Sequence, residues 1–365
     1  MKKFIFINPF GIGDVLFTTP LVRAVKKRYP DSFICYWCNE RVSPVLEANR
    51  NIDKIYALSR GDLKKIFKRS FFEGTNKGLS LFFALKKGHF DISLDFSLDH
   101  RYSLISKFLG IRERLGYDYK GRGRFLTKKI EISGYNHKHI VDYYLDLLGL
   151  LGIEGDDKKL DLSLKEGERD KAREYLKNSG IDFKKPLVGI APGAGESWGK
   201  DAGMKRWPVD KFRRLAKEIA GTLDSEVIIL GSTSERDLAG EIIRDMPGKS
   251  LDLTGKTTLT ELIAVIDSLD LLITNDGGPL HIGVALGKKT VSFFGPVDPL
   301  VYGPYPPDEE SHAVMRSSLD CSPCYRNFRL VKCDRDKECL EKIKVEEALR
   351  AANKLLSERQ GNKCR

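Results

Sequence analysis

Residues 273–287 read ITNDGGPLHIGVALG. An apolar strand pattern ends at Asn275, and Asp276-Gly277-Gly278-Pro279 opens a helix behind it. Proline in a first helical turn needs no N–H partner, and glycines let a ligand come close to the backbone. The free N–H groups and the helix dipole there suit a phosphate or diphosphate. Asp276 is the odd residue, because a carboxylate repels phosphate. It fits sugar hydroxyls, or it caps the helix. His281 is likewise either a core histidine or a phosphate or sugar contact.

The same strand–glycine–helix order occurs twice more. APGAGESWGKDAGMKRWP (191–208) follows the apolar LVGI and brings Gly193, Ala194 and Gly195, then Lys200, Lys205 and Arg206. A lysine beside a diphosphate neutralises charge on a leaving group; the alternative is a solvated surface loop. The loop lacks the G-x-x-x-x-G-K-[ST] spacing, so it is not a P-loop. NPFGIGDVLFTTP (8–20) follows KKFIFI. Leu16 stands where a dinucleotide fingerprint needs its third glycine, which argues against an NAD dehydrogenase. Asp14 lies at the start of this helix, either as its cap or as a general base.

Outward from these loops, strands and helices alternate. Candidate strands at 3–7, 32–38, 53–57 and 91–96 are followed by a polar stretch with a short strand at 160–164 and a helix at about 166–178. A second alternation then runs to a final helix at 341–357. The rhythm is that of stacked βαβ units, so the fold class is α/β with two Rossmann-like domains in tandem. Ligands in such folds sit at the carboxyl ends of the strands.

At 365 residues, 41% apolar and 31% charged, the chain is expected to be a globular protein of two domains. No apolar run approaches the ~18 residues of a membrane span. The N-terminal apolar segment is cut short by Asn8, Pro9 and Asp14, a poor signal peptide, so a cytoplasmic location is expected. The net charge is +11. Residues 1–150 hold 27 Lys and Arg against 15 Asp and Glu, while the remainder holds 35 against 36. The first half therefore either meets an anionic partner or has a solvated basic surface. RGDLKKIFKRSFF (60–72) and KGLSLFFALKKGHF (77–90) mix basic residues with Phe and Leu, as an interfacial surface does or as an ordinary core-facing helix does. GYDYKGRGRFLTKKI (116–130), with Arg122 and Arg124, reads as a basic loop suited to an anionic acceptor. No RRM, KH or helix-turn-helix signature accompanies it, so nucleic acid is not expected.

Seven cysteines without an export signal argue against a disulfide framework. Four of them, Cys321, Cys324, Cys333 and Cys339, are spaced C-x2-C-x8-C-x5-C. They are candidates for a structural Zn2+ site, or reduced thiols in a loop.

Taken together, GIGDVLFTTP (11–20), APGAG with KRWP (191–195 and 205–208) and NDGGPLHIGVALGKKTVSFFGPVDPLVYGPY (275–305) resemble glycosyltransferase family 9, the lipopolysaccharide heptosyltransferases. CSPCY (321–325) is similar to the second-heptose type. The resemblance implies a GT-B architecture: an acceptor domain (1–160) and a nucleotide-sugar domain (161–340) facing across a cleft, with a C-terminal helix (341–365) packing back toward the first. It implies inverting transfer from a donor, typically ADP-heptose, to an anionic lipid-linked saccharide at the inner face of the inner membrane, with no cofactor or metal required for catalysis. By motif position Asp14 resembles the catalytic base and Lys205 the lysine on the donor phosphates. Gly193, Ala194, Gly195, Asp276, Gly277, Gly278, Leu280 and His281 resemble the donor loops, and Glu235 the ribose contact. Gly11 and Gly13 then leave room for an acceptor sugar. A nucleotide-sugar epimerase or hydrolase of the same architecture, or a binding protein for nucleotide-sugars or nucleic acid, are the alternatives.

Overall fold

The computed structural model describes residues 1–155, 157–195, 198–244, 246–248 and 250–361, with the backbone alone at 200 and 358–361. The chain divides into two compact units, Met1–Ser163 and Leu164–Arg365.

Unit 1 contains β1 (Lys3–Ile7), α1 (Ile12–Leu16), α2 (Thr19–Arg28), β2 (Phe33–Cys38), β3 (Lys54–Ala57), α3 (Arg60–Arg69), α4 (Phe71–Gly88), β4 (Ile92–Asp95), α5 (His100–Phe108), β5 (Glu113–Tyr119), β6 (Lys128–Ile132) and α6 (Ile140–Gly149). Its strands pair in the order β3-β2-β1-β4-β5-β6, every pair parallel. A parallel sheet needs cover on both faces, and β1 supplies it as a continuous apolar run. Ile5 and Ile7 pack with Cys35, Trp37 and Tyr102 on one face. On the other, Phe6 stacks between Tyr36 and Phe96, and Phe96 meets Tyr144 of α6 edge-on.

Unit 2 contains α7 (Glu168–Asn178), β7 (Leu187–Ala191), α8 (Val209–Thr222), β8 (Glu226–Ile229), α9 (Arg236–Ile243), β9 (Ser250–Asp252), α10 (Leu259–Ser268), β10 (Leu271–Asn275), α11 (Gly278–Ala285), β11 (Lys289–Phe293), α12 (Pro299–Tyr302), β12 (His312–Met315), the short hairpin β13 (Tyr325–Arg326) and β14 (Arg329–Leu330), α13 (Glu338–Glu341) and α14 (Val345–Gly361). Its main sheet runs β12-β11-β10-β7-β8-β9, again all parallel. Counted along the chain within each unit, the two orders are the same: 3-2-1-4-5-6, that of a dinucleotide-binding fold. The order reverses between β1 and β4 in unit 1 and between β7 and β10 in unit 2. The carboxyl ends of those strands are where such folds place ligands.

The structure departs from the sequence expectation in several places. Residues 116–130 are not one loop: β5 and β6 flank a tight connection. β6 escaped notice because it is an edge strand whose Lys128 and Lys129 face solvent. β9 and β12 are also edge strands, short and half-buried, and they too were missed. Residues 160–164 alternate as expected, with Leu160 and Leu162 buried, but they join no sheet. The described part of the C-terminal helix packs within unit 2. Ala348, Ala352 and Leu355 of α14 share a core with Trp207, Phe212 and Phe293, and Lys289 Nζ donates to Leu355 O at 2.7 Å. Among the described residues no helix is long and apolar enough to cross a membrane.

Asp95 closes β4 at the switch point, 5% exposed, with Oδ1 accepting from Ser97 N at 2.9 Å. Burial pushes its carboxyl up to about 7, and the charge of Asp99 adds to the shift. The unfolded chain ionises this group near 3.8, so folding stability falls as pH rises from there through about 7. Asp95→Asn keeps the Ser97 bond and removes the penalty. Its gain over wild type in thermal unfolding is expected to be smallest at pH 4 and largest above pH 7, about 1–4 kcal/mol there.

Candidate active site

In unit 2, three segments meet at the carboxyl ends of β7, β8 and β10. Asn275, the last residue of β10 and fully buried, ties two of them together. Its Oδ1 accepts from Trp207 N at 2.9 Å, and its Nδ2 donates to Pro192 O at 2.7 Å and Gly193 O at 3.1 Å. One amide thus fixes both the glycine loop after β7 and the strand of chain that carries Lys205.

Lys205 is 6% exposed and Asp276 4%. Their Nζ and Oδ2 lie 2.6 Å apart. The approach is off hydrogen-bond alignment, so the contact is one of charge. Lys205 Nζ also lies 4.7 Å above the Trp198 ring, a cation–π contact. His281 completes the group, with Nε2 at 3.9 Å from Asp276 Oδ1. Burial, reinforced by the Lys205 charge, pushes the imidazole down to about 3. At neutral pH it is an uncharged hydrogen-bonding ring, and Lys205 is the cation of the cluster. Behind Asp276, α11 begins with Gly277 as its N-cap and Pro279 in its first turn, and Leu280 is buried as a core residue. Asp276, Gly277, Gly278, Leu280 and His281 are therefore contiguous with Lys205, while the side chain of Lys200 lies outside the described residues, as do Glu196 and Ser197.

Glu235 is buried at the end of the loop after β8. Its Oε2 accepts from Ser232 N at 2.8 Å and from Ser232 Oγ at 3.0 Å, and Oε1 lies 3.9 Å from Arg206 Nη2. The other wall is Gly193: a Cβ there would come within 1.7 Å of Glu235 Oε1. Gly193 is needed for that close approach, and Ala194 and Gly195 continue the loop toward Gly277, whose Cβ position is 3.5 Å from Ala194 O.

In unit 1, Asp14 does cap α1, as one of its two readings had it. Its Oδ2 accepts from Gly11 N at 3.2 Å, which leaves the carboxylate half-buried at the loop after β1. Asn8 and Asn39, neither a candidate site residue in the sequence, hold that loop. Asn8 Nδ2 donates to Asp14 O at 2.9 Å, and Asn39 Nδ2 to Pro9 O at 3.1 Å and Phe10 O at 2.6 Å. Buried phenols lie nearby. Tyr36 and Tyr135 are both held protonated, chiefly by burial and further by the Asp14 charge. Arg122 and Arg124 are exposed between β5 and β6, their guanidinium groups 5.5 Å from the Tyr119 ring and 5.0 Å from the Phe125 ring. Because β1, β4 and β5 are adjacent and parallel, this connection lies on the same sheet edge as Gly11, Gly13 and Asp14. Asp118 pins it, with Oδ1 accepting from Gly123 N at 3.0 Å and Oδ2 2.6 Å from Lys129 Nζ.

The candidate zinc site finds no support in the arrangement of its thiols. The four thiols of 321–339 lie within each other's electrostatic reach, yet among the described residues no group of three or more His, Cys, Asp or Glu side chains is arranged to hold a metal. Cys339 is pushed up to about 11, first by burial and then by its neighbouring cysteines, and Cys324 is raised in the same way. The antiparallel β13–β14 hairpin lies between Cys324 and Cys333 in the chain, and Val331 N donates to Cys324 O at 3.2 Å across its base.

Two dinucleotide-type sheets in tandem, the second with glycine loops and a buried lysine at its switch point, are a two-domain α/β architecture of the GT-B class. A family model described as glycosyltransferase family 9 (heptosyltransferase) matches residues 79–333, and the chain belongs to that family as a glycosyltransferase. It is 28% identical over 351 residues to lipopolysaccharide heptosyltransferase 3 of Escherichia coli K12, covering 95% of this chain and 96% of that one. It is 27% identical over 362 residues to lipooligosaccharide heptosyltransferase 2 of Campylobacter jejuni, covering 98% of both. The crystal structure of a family 9 glycosyl transferase from Veillonella parvula is similar with a TM-score of 0.81, 26% identity and 98% coverage of both chains.

Two outcomes test the packing of the donor side. Lys205→Ala leaves Asp276 buried and unpaired, so unfolding free energy drops by about 3–5 kcal/mol in denaturant titrations. Gly193→Ala drives Glu235 off Ser232 and costs about 1–3 kcal/mol in the same measurement.

Proposed function

We propose that this glycosyltransferase moves a heptose, with inversion, from ADP-heptose to an anionic lipid-linked saccharide of the lipopolysaccharide type. One observation carries the reading: a buried lysine held against an aspartate where the glycine loops after β7 and β10 meet. The names of the relatives supply the sugar and the lipopolysaccharide context, and the resemblance to the second-heptose type supplies the acceptor step.

In this reading unit 2 holds the donor. The backbone N–H groups opening α11 and the Lys205 ammonium face the diphosphate, Asp276 and neutral His281 face sugar hydroxyls, and Glu235 takes the ribose. Unit 1 holds the acceptor, with Arg122 and Arg124 meeting its anionic groups and Gly11 and Gly13 giving it room. Asp14 accepts the proton of the attacking hydroxyl as that oxygen bonds to the anomeric carbon. The bond from that carbon to the diphosphate breaks, its electron pair leaves with the nucleoside diphosphate, and Lys205 neutralises the charge that develops. Lys205 supplies that positive charge without a metal ion. The enzyme works in the cytoplasm at the inner face of the inner membrane, where its lipid-linked acceptor is presented.

Asp14→Asn keeps the Gly11 bond and removes the base. Transfer is expected to fall about 10²–10⁴-fold while ADP-heptose still raises the melting temperature of the variant. Full turnover in Asp14→Asn overturns the assignment of the base, and stabilisation by UDP-sugars in place of ADP-heptose overturns the donor.

A further inference from the structure

The α3–α4 hairpin carries apolar surface that the fold does not use. α4 has two apolar faces. Leu85 is buried, and Leu81 and Ala84 pack against the core of unit 1. Phe72, Leu79 and Phe83, spaced seven and four residues apart, fall on one line along the opposite face. They are 82%, 52% and 58% exposed. Phe71 adds 78%, and its ring lies 5.8 Å from Phe67 of α3, which rests on Gly74. α3 itself has no buried residue. A ten-residue helix is marginal on its own, so a face that stays uncovered leaves it weakly held.

The surroundings of this stripe are basic. Arg60, Lys64, Lys65, Lys68, Arg69, Lys77, Lys86 and Lys87 lie between 60 and 88 against two acids, Asp62 and Glu73. Both acids are engaged: Asp62 in the N-terminal cap of α3, and Glu73 with Arg69 at 2.7 Å and Lys77 at 3.5 Å. Two such faces from two copies of the chain repel each other, whereas an anionic bilayer matches both the rings and the charges.

We propose that α3–α4 docks on an anionic lipid bilayer, with Phe72, Leu79 and Phe83 entering the headgroup–acyl boundary and the lysines of both helices meeting lipid phosphates. The inference rests on the reading of a lipid-linked acceptor, since it gives that acceptor's membrane a place on unit 1.

The test is flotation of the full-length protein with vesicles of phosphatidylcholine, with and without phosphatidylglycerol. Binding is expected only with phosphatidylglycerol and is expected to weaken as salt rises. Phe72→Ser with Phe83→Ser reduces it on the order of tenfold or more. Each of Lys64→Glu and Lys68→Glu reduces it about fivefold. Unchanged binding in the phenylalanine variant, absence of binding to phosphatidylglycerol vesicles, or a dimer in vesicle-free sedimentation that the variant dissociates each overturns the proposal. Flotation needs neither donor nor acceptor, so it is read independently of the transfer reaction. Transfer to a soluble, delipidated saccharide reports on the enzymatic reading, and the phenylalanine variant leaves that rate unchanged.

Discussion

All strands in each main sheet point the same way. A chain that builds such a sheet must leave every strand at one edge and return to the opposite edge before it can add another. The turns that follow strands therefore collect along one side, whatever their sequence separation. In unit 2 this brings the loop after β7, the loop after β8 and the start of α11 to a common edge. In unit 1 it aligns the Asp14 loop with the connection that carries Arg122 and Arg124. Where the strand order reverses, neighbouring crossovers lie on opposite faces and a crevice is left between them. The candidate site residues Asp14, Lys205 and Asp276 lie at the carboxyl ends of the strands because the backbone leaves the loops there.

Within unit 2 the charged groups are held by the protein's own contacts. Lys205 is buried and long, a side chain with much rotational freedom to lose. Asp276, Trp198 and the backbone set by Asn275 hold it in one place. An ammonium held in this way does not have to reorganise to meet a negative charge, which is what the proposed role on the donor diphosphate asks of it. The neutral state of His281 matters here as well. A second cation beside Asp276 would compete with Lys205 for the same carboxylate. The low pKa of the ring leaves that pairing undisturbed across the physiological range.

The sequence made the strand-to-loop motifs legible because each joins an apolar run to glycine or proline, and those residue types allow few local conformations. Lys205, Asp276 and Gly193 could be singled out on that basis, and Glu235 through the family resemblance alone. The long-range supports could not. Asn275 looks like any polar residue at a strand end until its three partners, up to 83 residues away, are in place. Asn39 and Asp118 are similar cases. The edge strands β6, β9 and β12 were hidden because solvent on one side leaves them half polar, and the period of two is lost in so few residues. The cysteine spacing raised a metal as one of two readings because spacing alone does not say whether the thiols converge on one point.

The amide of Asn275 has one more consequence, for the order of folding events. β7 and β10 are neighbours in the sheet, but the whole of α8, β8, α9, β9 and α10 lies between them in the chain. The loop after β7 is held in place only once β10 has paired beside it, which closes a loop of about eighty residues, a slow step set by topology. A growing chain that has made β7 through β9 thus has the glycine loop and the lysine but no anchor for either. The Asn275 anchor for both segments therefore arrives in one step, with the closing of the sheet's centre.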